Sequence, residues 1–516
     1  MSHPHPSLAG RAVLAVALLI GFYVLAFAIV AGLLYIPYAE VTVLHRINAR
    51  LTIFAIVGAG AILWGILPRI DKFLPPGPPL TRAHQPRLFA TLDDVARAVE
   101  QEMPREVYLV PDMNAWVSQR GGVMGFGSRR VMGLGLPLLQ TLTVSQMRAV
   151  LAHEFGHYHG GDTALGPWIY KTRAAIGRTL DSLSRHSAIL TKPFEWYGNA
   201  FLRITHAISR RQEFAADALS ARVSGTTTAV DALKAVHAAG MAFDPYWHSE
   251  VVPAISNGFR PPLADGFRRF IEVPAIATNV ETALSHEIAE GKVDPYDTHP
   301  PLRERIAALE TGPVHDPVTS DDRAAAISLL ENVSALEDAL VDGMVRDEFR
   351  GKLAPISWEE AGDRLWIPVW REHAHANSER LEGMTPNQLP TLAADPRGTA
   401  ERLGLVRDRN APDEAVAQDL GHVVGTALAM VLHNRGFAVH ALPGHAVELE
   451  RDGLTIRPFA ALGDLTSGTL TPDAWLAQCA QAGIGSVDLG AENGAAERRA
   501  EAAATAAQRK QPRKWK

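Results

Sequence analysis

Two long uncharged segments near the N-terminus constrain this chain more than any other feature. Residues 12–36, AVLAVALLIGFYVLAFAIVAGLLYI, contain no charged side chain over 25 residues. A helix of that length crosses the ~30 Å hydrocarbon core of a bilayer. A second uncharged segment, residues 51–67, lies near the lower length limit for a span. Together they predict a transmembrane helical hairpin within residues 1–73.

Both segments have alternatives. A signal peptide has an apolar core of only ~7–15 residues, and the first segment is longer, although Ala26-Phe27-Ala28 resembles a cleavage site. The second segment is also short enough for a buried core helix. Because Arg and Lys are more frequent on the side shared by both ends of the hairpin, these ends and the rest of the chain are expected in the cytoplasm, at the cell (inner) membrane.

The remainder of the chain is a folded body of ordinary polarity. A Pro-rich stretch, residues 74–84, predicts an extended linker. Residues 165–183 and 196–208 carry several charges, which indicates amphipathic helices that lie either at a membrane interface or within an ordinary domain. The net charge of −6 gives no reason to expect nucleic acid as a ligand. The single cysteine, Cys479, excludes a disulfide scaffold.

The sequence HEFGH at residues 153–157 carries the predicted chemistry. Thr143 and Gln146 form a capping-box pattern at the start of its helix, which is expected to end near Gly160-Gly161. Residues four apart lie on one helix face, so His153 and His157 can bind one metal ion, with Glu154 beside it. A catalytic zinc has three protein ligands and an open position, so a third ligand is required.

A second helical segment offers that ligand. Residues 209–220, SRRQEFAADALS, place carboxylates at Glu213 and Asp217, one turn apart. Glu213 is the candidate third ligand, and Asp217 is a candidate partner for the other ring nitrogen of a histidine ligand. The alternative is a solvated acidic face on a surface helix, against which the several alanines indicate close packing.

These motifs, with Asn114-Ala-Trp116, Thr298-His-Pro-Pro301 and Arg305-Ile306, resemble the M48 peptidases over about residues 85–311. This family of membrane-associated zinc metallopeptidases includes HtpX-like and CAAX-prenyl proteases. The resemblance implies one Zn²⁺ bound by His153, His157 and Glu213, and Glu154 as catalytic base. It also implies that His299 lies near the metal and stabilises the oxyanion. HtpX-like members often carry additional transmembrane helices between the zinc motif and the third ligand, whereas the corresponding segment here is charged.

Three further predictions concern substrate binding. The β-like runs 107–117 and 130–136 precede the metal-binding helix, and Asn114, Ala115 and Trp116 are candidates for an edge strand that binds the substrate backbone. Arg305 either holds a substrate carbonyl or carboxylate, or pairs with Glu304 or Glu310. The Gly-rich segment 121–127 is expected to be a hairpin loop rather than a phosphate-binding loop.

Two residues close to the zinc motif have weaker indications. His159 is expected to face away from the metal because it is two residues beyond His157. Asp162 is either an outer partner of the site or a polar residue at the helix end.

The predicted fold is α+β and mainly α: a transmembrane hairpin, a gluzincin-type peptidase domain at 85–313, and a C-terminal α+β region at 314–495. Helices are expected at 321–345, 414–435 and 472–483, a hairpin at 437–458, and a basic tail at 496–516.

The predicted function is a membrane-anchored zinc metalloendopeptidase. It is expected to hydrolyse unfolded or membrane polypeptides with a zinc-activated water, in membrane-protein quality control. The alternative is an inactive membrane scaffold that binds partners through its C-terminal region; the intact Glu154 argues against it. The sequence carries no indication of oligomeric state.

Overall fold

The chain is mainly helical and forms two compact units. The computed structural model describes residues 8–67, 73–120, 129–157, 166–184, 187–291, 299–316, 322–406, 408, 410–495 and 497–498. One unit comprises Met1–Phe243 and Thr278–Arg346, and the other comprises Asp244–Ala277 and Asp347–Lys516. The predicted glycine-rich loop 121–127, His159, Asp162, Thr298 and nearly all of the basic tail lie outside the described residues. The domain boundaries drawn from the sequence stay predictions.

The α-helices are α1 (Leu8–Thr42), α2 (Ala49–Ile66), α3 (Pro86–Ala98), α4 (Leu136–Thr141), α5 (Val144–Gly156), α6 (Gly166–Ser184), α7 (Ala188–Ser224), α8 (Thr226–Tyr246), α9 (Val252–Ser256), α10 (Leu263–Glu272), α11 (Pro274–Glu290), α12 (Leu302–Thr311), α13 (Val333–Met344), α14 (Ile367–Asn377), α15 (Leu389–Ala393), α16 (Pro396–Arg402), α17 (Asp413–Asn434), α18 (Ala461–Ser467), α19 (Pro472–Ala482) and α20 (Leu489–Glu492). The strands are β1 (Pro79–Leu80), β2 (Glu106–Val110), β3 (Ala115–Arg120), β4 (Arg129–Gly135), β5 (Phe259–Arg260), β6 (Ala354–Pro355), β7 (Ala438–His440), β8 (Glu448–Arg451) and β9 (Leu454–Ile456). Two π-helical turns span Trp247–Val251 and Gly362–Trp366.

Three helices of the described chain are long and apolar enough to cross a membrane: Val16–Thr42, Ala49–Ile66 and Asp413–Asn434. The first two overlap the predicted spans 12–36 and 51–67, and they leave large apolar side chains exposed, among them Val24 and Trp64. The third, α17, was predicted as a helix but not as a candidate span. Because 72% of its apolar window is buried within the C-terminal unit, α17 is the core helix of that unit.

The charged helices α6 and α7 pack against the apolar helices α1 and α2. Phe22, Ala55, Ile176 and Phe194 belong to one buried cluster that draws on all four helices. The Tyr197 hydroxyl donates to a carbonyl of α1, and Arg178 Nε donates to a carbonyl of α2 at 3.3 Å. These two helices therefore bury apolar surface against the N-terminal pair.

A four-stranded sheet lies beside the metal-binding helix, in the order β1-β2-β4-β3. The predicted run 107–117 contains two strands rather than one, because the chain turns at Asp112–Asn114, where Asn114 N–H donates to the Asp112 carbonyl at 2.8 Å. Part of the predicted linker 74–84 is β1, which pairs with β2. Strand β3 pairs only with β4 in this described sheet, so it occupies the predicted edge position.

Helix α5 begins at its capping box and packs closely on α7. Thr143 Oγ1 accepts from Gln146 N–H at 3.2 Å, and Gln146 Oε1 accepts from Thr143 N–H at 3.0 Å. A Cβ added at Gly156 would lie 3.0 Å from the Cα of Ala216 and 3.1 Å from its Cβ. Small residues at this crossing therefore let the two helices approach closely. Helix α5 ends at Gly156, earlier than the predicted end near Gly160.

The C-terminal unit is built around α17. The predicted hairpin at 437–458 is a three-stranded antiparallel sheet, β7-β8-β9. Asp452 and Gly453 join β8 to β9 with φ values of 53° and 78°, as a tight hairpin turn requires. The predicted helix at 472–483 is α19, whose N-cap Thr471 accepts from Ala474 N–H and whose C-cap is the left-handed Gly483.

A methyl group at the α5–α7 crossing is expected to destabilise the fold. Gly156→Ala places its Cβ against backbone and Cβ atoms that cannot rotate away, so we expect a loss of about 1–3 kcal/mol in the free energy of unfolding. Gly240→Ala in α8 is the matched control, since its Cβ would meet no heavy atom of the described residues within 4 Å. Helix propensity should then stabilise this control by up to about 1 kcal/mol. Urea titrations followed by circular dichroism in detergent compare the variants, and equal stability would contradict the packing argument.

Candidate metal centre

The last turns of α5 bring two imidazoles together. The ring centroids of His153 and His157 lie 4.8 Å apart, and one candidate ligand atom from each of His153, Glu154 and His157 lies within 4.8 Å of the others. This arrangement follows from the four-residue spacing on one helix face, as the sequence predicts.

Helix α7 places Glu213 beside both histidines. Glu213 Oε2 lies 3.5 Å from His153 Nε2, and Oε1 lies 3.6 Å from His157 Nε2. Neighbouring ligand atoms of a tetrahedral zinc, at bond lengths of ~2.1 Å, are about 3.4 Å apart. Glu213 Oε2 is also buried without a well-aligned hydrogen bond among the described residues. The donor set and its spacing therefore fit a divalent cation.

Asp217 links this site to α12. Its Oδ1 lies 3.0 Å from His153 Nδ1, although the angle is outside the range of an ordinary hydrogen bond. Arg305 donates to both Asp217 oxygens, from Nε at 2.8 Å and from Nη2 at 2.6 Å. Both partners are buried. The contact between Asp217 and the outer ring nitrogen of His153 is the one that the sequence predicts.

The structure corrects the alternatives for Arg305. Its carboxylate partner is Asp217 of α7, not Glu304 or Glu310, because the Arg305 side chain lies on the buried face of α12 while Glu310 is exposed. The guanidinium also lies 3.6 Å from Glu213 Oε2. Sequence reasoning missed this partner because nothing in the local pattern of α12 indicates which distant carboxylate it reaches.

His299 lies at the edge of the same cluster. Its Nδ1 is 3.0 Å from Glu213 Oε2, and its side chain is 58% exposed. Two prolines, Pro300 and Pro301, separate it from α12 and restrict the backbone that carries it. The imidazole is thus close to the candidate metal ligands but still open to solvent.

Burial and charge tune the two histidines in opposite directions. Burial alone lowers the pKa of His153, but the carboxylates of Asp217 and Glu213 outweigh it and raise the pKa to about 9. Burial lowers the pKa of His157 to about 4, which keeps its imidazole in the neutral form that binds metals. The carboxylates therefore favour a positive charge between α5 and α7, which a divalent cation would supply.

Glu154 is poised between its two protonation states near neutral pH. Burial raises the pKa of its carboxyl group to about 7, against the opposing effect of the His153 charge. A carboxylate with a pKa near the working pH is suited to accept and return a proton.

A cavity of about 310 Å³ opens onto these groups. Its lining includes Asn114, Ala115, Glu154 and His299, whereas Trp116 is not among the lining residues. Gly133 on β4 lacks a side chain where the Trp116 indole crosses it, since a Cβ there would lie 2.4 Å from the ring. The cavity thus lies between α5 and the start of edge strand β3.

Sequence reasoning missed one wall of this cavity. Helix α8 contributes Leu233, Val236 and His237, and His237 Nδ1 lies 3.1 Å from Glu287 Oε1. The spacing of Leu233, Val236 and His237 on α8 is typical of any buried helix face. Only the tertiary packing therefore identifies these residues as part of the cavity wall.

Comparisons with known proteins confirm the resemblance inferred from the motifs. The profile of peptidase family M48 matches residues 82–312. Protease HtpX of Escherichia coli (strain K12) is 25% identical over 255 residues, which cover 44% of this chain and 72% of that protein.

Two further relatives give the same result. The Protease HtpX homolog of Pseudarthrobacter chlorophenolicus is 25% identical over 284 residues, covering 51% of this chain and 86% of its own length. Protease HtpX of Pseudoalteromonas atlantica is 24% identical over 237 residues, covering 42% and 70%. No solved structure matches the chain.

Removing one partner of the buried Asp217–Arg305 pair is expected to be costly. Arg305→Met leaves a buried carboxylate without its cation, so we expect a loss of about 3–5 kcal/mol in the free energy of unfolding. Arg303→Met, two residues away on the exposed face of α12, should change it by no more than about 0.5 kcal/mol. Urea titration of both variants measures the difference, and a similar small effect for both would refute the assignment.

Proposed function

We propose that this chain, whose residues 82–312 match peptidase family M48, is a membrane-anchored zinc metalloendopeptidase with a gluzincin-type catalytic domain. The observation that carries the proposal is the placement of Glu213 at 3.5 and 3.6 Å from His153 and His157. The relatives that match the chain are named as proteases.

His153, His157 and Glu213 are the proposed zinc ligands. Two imidazoles and one carboxylate form the set typical of a hydrolytic zinc, which keeps an open position, whereas structural zinc sites use clustered thiolates. The only cysteine of the chain, Cys479, is buried in the core of the C-terminal unit. When bound, one Zn²⁺ per chain would supply a Lewis acid that polarises a peptide carbonyl and lowers the pKa of water.

Glu154 is the proposed general base. Its carboxylate faces the cavity, accepts a proton from the attacking water, and returns it to the leaving amine. Asp217, held by Arg305, orients the His153 ring through its outer nitrogen. Arg305 thus positions the site through Asp217; because it also lines the cavity, its contact with a substrate carbonyl or carboxylate stays a prediction.

The substrate is proposed to lie along the start of β3. Asn114 and Ala115 line the cavity, and Trp116 continues the same strand at the sheet edge. An extended polypeptide that adds to this edge would run past Glu154 with its backbone hydrogen-bonded to β3. Such binding places few demands on the side chains of the substrate. His299, exposed at the cavity, is the proposed oxyanion-stabilising group.

Membrane anchoring is assigned to α1 and α2. Their length, apolarity and exposed apolar side chains support a transmembrane hairpin, and the distribution of Arg and Lys favours a cytoplasmic catalytic domain at the inner membrane. The substrates we propose are unfolded or membrane polypeptides, within membrane-protein quality control. The alternative of an inactive scaffold would not need a half-buried carboxylate at Glu154 that faces the cavity.

Glu154→Gln separates the two classes of function. The amide keeps the shape of the side chain but cannot accept a proton, so proteolysis of casein should fall by about 10²–10⁴-fold. Zinc content measured by atomic emission should remain at the wild-type level. Glu310→Gln, an exposed change on α12, is the control and should retain full activity. Wild-type cleavage by Glu154→Gln would exclude its role as base, and the absence of any chelator-sensitive cleavage by the wild-type protein would favour the scaffold.

Glu213→Ala tests the ligand set. Loss of one of three protein ligands should weaken zinc binding by at least about tenfold, so the purified variant should contain less than stoichiometric zinc by atomic emission. Glu195→Ala removes an exposed carboxylate from the same helix and should leave the zinc content unchanged. Stoichiometric zinc in Glu213→Ala at wild-type affinity would rule out Glu213 as a ligand.

A further inference from the structure

The C-terminal unit contains a cavity of about 200 Å³ that the proposed peptidase chemistry does not use. Its lining includes Glu250, Trp366, Trp370, His422 and Phe459. Sites for drug-sized ligands occupy ~300–1,000 Å³. This cavity is therefore suited to a small molecule or to the head group of a larger one.

Two π-helical turns converge on this cavity. Trp247–Val251 carries Glu250, and Gly362–Trp366 ends at Trp366. Such turns are rare and are found frequently at functional sites, because the extra residue re-aims side chains that an α-helix would direct elsewhere. Two of them contribute side chains to the same cavity here.

The aromatic side chains form a continuous group. Trp366 and Trp370 stack with centroids 6.0 Å apart and planes inclined by 17°, and Trp370 lies 5.0 Å from Phe459. His422 extends the group at 5.8 Å from Phe459. The faces of tryptophan rings carry partial negative charge and attract cations, most strongly where water is excluded.

Glu250 adds a carboxylate without a cationic partner. Its Oε1 accepts from Gly444 N–H at 3.2 Å and contacts Ser249 Oγ at 3.5 Å. No Lys or Arg lines the cavity, and no ion pair to Glu250 occurs within the described part of the chain. Burial raises the pKa of its carboxyl group. A bound cation would offset the cost of burying this charge.

We propose that this cavity binds a small quaternary ammonium group, with Trp366 and Trp370 contacting its methyl groups and Glu250 supplying the opposite charge. Ring faces stabilise an alkylated cation without offering hydrogen bonds, which a quaternary ammonium cannot accept or donate. The group belongs either to a free solute such as choline or to a phosphatidylcholine head group. The proposal does not depend on peptidase activity.

Calorimetric titration of the full chain with tetramethylammonium, in dodecyl maltoside micelles, tests this site. We expect saturable binding that weakens by at least about tenfold in Glu250→Gln and in Trp366→Leu. Glu450→Gln, at an exposed glutamate of β8, should bind as the wild type does. Choline should bind at least about tenfold more tightly than 3,3-dimethylbutan-1-ol, its uncharged isostere.

Three results would overturn the proposal: no saturable binding of tetramethylammonium, wild-type binding by Glu250→Gln, or equal binding of choline and its uncharged isostere. Thermal melting of each variant separates a local effect from unfolding, and the comparison of choline with its isostere needs no variant at all. Competition by phosphatidylcholine nanodiscs, but not by phosphatidylglycerol nanodiscs, assigns the lipid head group. If free choline competes with tetramethylammonium and phosphatidylcholine nanodiscs do not, the ligand is assigned as a free solute.

Discussion

The close crossing of α5 and α7 is the contact on which the candidate metal centre depends. Gly156 packs on Ala216, and Ser220 Oγ donates to the Ala149 carbonyl at 2.7 Å, which ties the two backbones together. His153 and His157 come from one helix and Glu213 from the other. Any increase in the distance between the helices would therefore separate the imidazoles from the carboxylate before it affected either helix by itself.

A second constraint brings α12 to this crossing. The Asp217–Arg305 pair is buried, so its charges interact more strongly than surface charges and tolerate little displacement. His299 precedes α12 by a short proline-containing segment. The same ion pair that supports His153 thus also limits where His299 can lie, and one interaction serves both a candidate ligand and a candidate oxyanion group.

Local patterns in the sequence sufficed for the helices that carry the site. The capping box, the HEFGH spacing and the Glu213/Asp217 pair each lie within one helix, where periodicity defines the geometry. The partner of Arg305, the α8 wall of the cavity and the convergence of Glu250 with Trp366 join residues far apart in the chain. Nothing in a local pattern encodes such contacts, because burial and packing select the partner. The β-like pattern of residues 107–117 is nearly continuous, so it predicts one run. The structure divides this run into two strands by the turn at Asp112–Asn114.

Helix α7 also has a geometric consequence as a continuous rod. Phe201 packs in the cluster with α1 and α2, and Glu213 lies twelve residues further along the same helix, about 18 Å at ~1.5 Å per residue. In a membrane-anchored chain, this continuous helix would hold the proposed metal ligand Glu213 at a fixed distance from the anchor. Under the proposed function, the bond to be cut would then be selected by its height above the bilayer rather than by the side chains around it.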